Sequence, residues 1–179
     1  MLLGIAYNRA GRNHDSRVAL ERAHELNPQD INVLSSLGLT YDALKMHAES
    51  DSVYEKALRI DPDYALVLNN YAYSLSERNI DLSRAMTMSK RSLEKDSLNS
   101  SYLDTYGWIL YQLGRYPEAL EYIKKAIDAG DASPVVLEHL GDVYAKLNDY
   151  ENAVHFWNKA LEKDKKNSSL KSKIERARL

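Results

Sequence analysis

A small residue returns at Gly4, Gly38, Ala72, Gly107 and Gly141, at intervals of 34, 34, 35 and 34. A second keeps step with it at Ala23, Ala57, Ser92, Ala126 and Ala160. No other property of the chain limits its fold so tightly. A unit this short cannot close a hydrophobic core alone, so it must bury its apolar face on its neighbours, and a fixed period of this length marks a stack of such units. The reading turns away from a catalytic cavity and towards a surface that holds another macromolecule.

Within a unit the apolar spacing predicts two helices. In residues 100–133, Leu103, Tyr106, Gly107 and Leu110 recur at three- and four-residue steps and share one helical face. Gly114 supplies a stop, since glycine accepts the left-handed conformation there, and Ala119, Ile123, Ala126 and Ile127 line the second helix. Gly11, Asn79 and Asn148 hold the matching place, whereas Lys45 leaves its turn less well specified. Glycine inside a helix costs roughly 1 kcal/mol relative to alanine. Its return therefore implies close approach of the paired helix, answered by Ala119, Ala126, Ala153 and Ala160. Asn27-Pro28 and Asp61-Pro62 end second helices, because proline disfavours helix in the residue before it. Ser97 and Asp131 take that role later, and Ser133-Pro134 reads as an N-cap and first helical residue. The third unit carries one extra residue near 79–83, read as a longer turn.

These residues resemble the tetratricopeptide repeat (TPR). Its pattern is visible as Leu34, Leu37-Gly38, Tyr41, Ala57-Leu58 and Asp61-Pro62, and again as Leu137, Leu140-Gly141, Tyr144, Ala153 and Ala160-Leu161. Residues 113–120, Leu-Gly-Arg-Tyr-Pro-Glu-Ala-Leu, look like the family's inter-helix turn. The resemblance covers about residues 1–167, in the style of bacterial multi-TPR proteins. Ser16, Ser50, Ser89 and Ser92 depart from it at core-facing sites, which implies looser packing. The expected fold is an all-α, right-handed α-solenoid of stacked helix-turn-helix units: 1–30 (truncated), 31–64, 65–99, 100–133 and 134–167, with a C-terminal capping helix at 168–179. Leu170, Ile174 and Ala177 give the cap its apolar stripe, while Leu2, Leu3 and Ile5 are expected to lie exposed at an uncapped N-terminal end.

The resemblance implies a concave groove lined by first helices. Residues placed there are Asn69, Asn70, Tyr73 and Glu77; Asp104, Thr105, Trp108, Tyr111 and Gln112; Glu138, His139, Asp142 and Lys146; and, in the second unit, Asn32, Ser35, Ser36, Leu39 and Asp42. Tyr73, Trp108 and Tyr111 are the sharpest signal, since aromatic side chains make good anchors at interfaces. The plainer reading, held at equal weight, is that Trp108 and Tyr111 fill contacts between neighbouring first helices. As anchors, they predict that Trp108→Ala weakens partner binding and leaves the fold intact. Some family members grip a C-terminal carboxylate with basic first-helix residues; Asn69, Asp104 and Glu138 stand here instead, which favours neutral, aromatic or basic ligand segments.

Other chemistry finds little support. The chain has no cysteine, which removes disulfides and thiol catalysis, and its formal charge of -2 gives no pull towards nucleic acid. His14, His24, His47, His139 and His155 form no HExxH or paired ligand set, so no metal or cofactor is expected. There is no glycine-rich phosphate loop and no nucleophile with a base, so no enzymatic activity is expected. Lys163, Lys165, Lys166, Lys171, Lys173, Arg176 and Arg178 outweigh Glu162, Asp164 and Glu175 near the C-terminus and read as a solvated cap. No apolar run approaches the ~20 residues that span a bilayer. No secretion signal opens the chain; Met1 falls partway through a repeat, as in a piece of a longer protein, and the compartment stays open between cytoplasm and periplasm. The expected function is a protein-interaction scaffold with a protein or peptide partner. The alternatives are self-association as a homodimer through the N-terminal end, or the docking arm of a larger enzyme.

Overall fold

The structure, a computed structural model, describes residues 1–130 and 132–177. Asp131, read as a helix stop, and Arg178, counted in the basic tail, lie outside the described residues. Among those residues there are helices and no strands. They pair as α1 (Leu2–Arg9) with α2 (Asn13–Leu26), α3 (Ile31–Ala43) with α4 (His47–Ile60), α5 (Ala65–Glu77) with α6 (Leu82–Lys95), α7 (Ser100–Gln112) with α8 (Tyr116–Ala129), and α9 (Pro134–Lys146) with α10 (Tyr150–Lys163). The last helix, α11 (Ser168–Ala177), stands alone. Each second helix packs on its own first helix and on the next one, and successive first helices also touch. The result is a right-handed α-solenoid with the odd-numbered helices forming one continuous face.

All five hairpins close in the same way. Gly11, Lys45, Asn79, Gly114 and Asn148 take φ of 71°, 61°, 53°, 75° and 61°. The next amide then bonds a carbonyl five residues back, as Arg12 to Tyr7, Met46 to Tyr41, Ile80 to Leu75, Arg115 to Leu110 and Asp149 to Tyr144. This is the Schellman closure of a helix end. Lys45 thus adopts the left-handed geometry that its sequence disfavours, because the hairpin on either side imposes it. The extra residue of the third unit is accommodated between Asn79 and Asp81, where Asp81 is itself left-handed (φ 42°) and caps α6 by accepting from the Arg84 amide. Ser133 caps α9 through the Val136 amide, with Pro134 in the first turn, as its sequence predicts.

The recurring glycine works differently from expectation. A Cβ added at Gly4 would stand 2.5 Å from Leu20 Cγ, and one at Gly107 would stand 2.6 Å from Ile123 Cγ1. At Gly38 and Gly141 it would overlap the rings of Tyr54 and Trp157. The missing side chain is therefore a socket for one large second-helix residue, not mainly a place where bare backbones meet. In the third unit, where Ala72 carries a Cβ, the matching position of α6 is the small Ser89. Ala119, Ala126, Ala153 and Ala160 are buried beside these knobs. The core serines are buried as well: Ser16 donates to the Gly4 carbonyl at 2.9 Å and Ser92 to that of Ser89, while Ser50 Oγ and Ser89 Oγ have no partner among the described residues.

The two ends differ. Leu170 and Ile174 of α11 close over Leu137, Trp157 and Ala160. At the other end Leu2 and Leu3 are 78% and 59% exposed, whereas Ile5 is half-buried against expectation.

Candidate functional site

The first helices are tied together rung by rung along their shared face. Asn8 of α1 donates to Thr40 of α3 at 3.0 Å. Asn70 and Ser74 of α5 reach back to Ser35 and Asp42 of α3 at 3.2 and 2.8 Å. Trp108 of α7 donates its indole N–H to Glu77 of α5 at 2.7 Å. His139 of α9 sets Nδ1 against both oxygens of Asp104 of α7 at 3.0 and 3.1 Å. Lys173 of α11 completes the series, donating to Glu138 at 2.7 Å and to Asp142 at 2.7 and 2.8 Å. Each partner lies about one period away in the chain, because the stack brings equivalent turns of successive helices side by side.

The residues expected to line an open groove divide by burial. Asn69, Asn70, Asp104, Thr105, Trp108 and His139 are buried. Tyr73, Tyr111, Gln112, Glu138 and Asp142 are half-buried, and Glu77 and Lys146 are exposed. The indole of Trp108 is stacked on both faces, by His139 at 3.9 Å between centroids and by Tyr111 at 4.5 Å. It forms part of the wall between neighbouring helices. The Tyr73 ring lies 6.2 Å from that of His139, tilted by 47°. Lys173 was missed as a member of this face, although its spacing of 35 and 31 residues from the oppositely charged Glu138 and Asp142 carried the signal.

The local field is acidic. Burial alone would lower the pKa of His139, but the charge and hydrogen bond of Asp104 outweigh it and the imidazolium is favoured. Burial raises the Tyr73 phenol, and the carboxylates of Glu77, Asp104 and Glu138 push it further. Burial also raises Asp142, against the pull of Lys173. Burial and then Asp142 bring the Tyr111 phenol to about 12.

Three hollows open on this face. One of about 430 Å³ lies between α3 and α5, with Leu39, Asp42, Asn70, Tyr73 and Glu77 in its lining. A second, about 190 Å³, is lined by Asn69, Asn70, Tyr73, Asp104, Thr105 and Val136 among others. The third, about 250 Å³, runs from Tyr73 and Trp108 to Glu138, Asp142 and Lys173. Among the described residues no three His, Asp or Glu side chains are placed to share a metal ion. No helix among them is long and apolar enough to cross a membrane.

Stacked helical hairpins with one hollowed, polar face define a repeat scaffold, a class whose work is protein interaction. Models of the tetratricopeptide repeat match residues 31–64, 53–87, 91–134 and 107–168. The chain belongs to the tetratricopeptide repeat family. It is 27% identical over 160 residues to the type IV pilus assembly protein PilF of Pseudomonas aeruginosa, across 87% of this chain and 62% of that protein. It spans 21% of another relative from that organism, a TPR repeat-containing protein with 23% identity over 69% of this chain. A solved structure of Pseudomonas aeruginosa PilF superposes with a TM-score of 0.69 at 25% identity, covering 88% of this chain and 71% of that one. A thermophilic TPR protein of Thermus thermophilus gives 0.82 at 23% identity, covering 98% and 95%. PilW, a type IV pilus biogenesis factor, gives 0.80 at 20% identity, covering 98% and 83%. These last two likenesses speak for the fold alone.

Proposed function

We infer that this chain holds an extended or helical segment of a partner protein along the concave face built by α3, α5, α7 and α9. The observation that carries this reading is the convergence of three adjoining hollows on Tyr73, which contributes to the lining of each. The rungs between first helices hold that surface ready before a partner arrives, so little order must be created on binding. Tyr73 and Tyr111 are the aromatic anchors, with Gln112, Glu138 and Asp142 at the rim. Asn69, Asn70, Asp104, Thr105, Trp108 and His139 form the floor and walls. The likeness to PilF supports a partner drawn from a type IV pilus assembly system. The test is capture of partners from the native cell by the parent chain and by Tyr73→Ala. The expected result is loss of one protein from the Tyr73→Ala sample with helicity unchanged; an identical set of captured proteins would refute the reading.

A second reading rests on the N-terminal end. Leu3 stands one period before Leu37, yet it is 59% exposed where Leu37 is 1% exposed. Packing of a second copy on this face would give a homodimer. Light scattering over a concentration series tests it, with Leu3→Glu expected to hold the chain as a monomer.

A further inference from the structure

The hollow between α5 and α7 contains a buried acceptor that nothing in the chain satisfies. Asn69 is 5% exposed, and its Oδ1 has no hydrogen-bond partner among the described residues. Its amide nitrogen points elsewhere, to Asn70 Oδ1 at 3.5 Å, and the Asn70 amide nitrogen is engaged with Ser35. A buried acceptor left unmade forfeits its hydrogen bond to water without replacement, so such a group calls for a donor from outside.

The surroundings select the kind of donor. Asp104 lines the same hollow, and Tyr73 joins it to the neighbouring one that holds Glu138 and Glu77. The acidic pull of these three carboxylates on the Tyr73 phenol marks a negative potential at this point. The chain also carries an internal example of what this face accepts. One helix further along, the Lys173 ammonium sits on three carboxylate oxygens of Glu138 and Asp142 at 2.7–2.8 Å.

We propose that the hollow between α5 and α7 takes the side-chain cation of a lysine or arginine carried by the partner segment, which donates to Asn69 Oδ1 and Asp104 beside the Tyr73 ring. The proposal rests on the groove reading above and adds the chemistry of the ligand. A cation near an aromatic face and a carboxylate gains from both.

The probes are blocked tetralysine, tetraserine and tetraglutamate peptides, with binding followed by titration calorimetry and thermal unfolding run in parallel. Tetralysine is expected to bind saturably. Asn69→Leu is expected to weaken it at least tenfold while leaving Tm equal to or above the parent's, since the change removes the orphaned acceptor; a purely structural Asn69 would instead lower Tm. Glu77→Gln keeps an acceptor for the Trp108 indole and removes one charge, so it serves as a second variant, with about threefold weaker binding expected. No tetralysine binding, equal binding by parent and both variants, or equal binding of tetraserine or tetraglutamate would each overturn the proposal. A native partner lost with Tyr73→Ala but unaffected by Asn69→Leu would remove the cation site and leave the groove reading standing. A partner indifferent to both would remove both.

Discussion

At the scale of single residues the repeat leaves measurable imperfections. Lys45 holds φ 61° where Gly11 and Gly114 take the same turn without a Cβ. A side chain in that conformation costs roughly 1 kcal/mol, so Lys45→Gly is expected to stabilise the chain by about 0.5–1 kcal/mol in urea unfolding. Ser89 is fully buried and its hydroxyl has no partner among the described residues. Ser89→Ala removes a desolvated polar group and should raise stability by about 1 kcal/mol. Gly38→Ala has the opposite sign. The new methyl would collide with the ring of Tyr54, which is itself 0% exposed and stacked on Tyr71 at 5.1 Å, so the ring has nowhere to go. Overpacking of this kind costs about 1–3 kcal/mol, which exceeds the gain in helix propensity. The same thermal or urea assay reads all three.

Between elements, the junction of α5, α7 and α9 depends on one aromatic and its polar partners. Trp108 bonds Glu77 and is stacked on His139 and Tyr111. Trp108→Ala is therefore expected to lower stability by about 3 kcal/mol, the cost of deleting a large buried ring, where the anchor reading alone expected no change in the fold. The His139–Asp104 pair makes this junction pH-dependent. The folded pKa of His139 lies above its ordinary value of 6.5. Its stabilisation is thus complete below that value and disappears as pH rises through the folded pKa. Tm should fall as pH is raised from 6 to 9, and the fall should shrink in His139→Gln.

For the molecule as a whole, stability is a sum over neighbours, and the neighbours are unequal. The first helix α1 buries only Gly4, whereas α5 buries nine of its thirteen residues. Hydrogen exchange is expected to be fastest in α1 and slowest in α5, with α10 protected by the α11 cap. The same inequality explains what could be read in advance. Gly114 and Ser133-Pro134 declare a helix stop and the next start through local preference alone, and both took the expected conformation. Trp108, Asp104 and His139 could not be placed as wall or open surface from their own helices, because each is covered by a side chain some 31–35 residues away.

The amino-acid order alone determined the period, the helices, their turns and hence a stacked all-α chain, because these follow from backbone preference and from apolar faces that no single hairpin can bury. Tertiary structure alone decided that the glycines are sockets for Leu20, Tyr54, Ile123 and Trp157, that Lys45 must turn left-handed, and that Lys173 enters the acidic face. It also decided which polar residues pair and which, like Asn69, stay unanswered. Those outcomes depend on how closely one helix approaches the next, a distance set by packing across repeats and written in no single repeat.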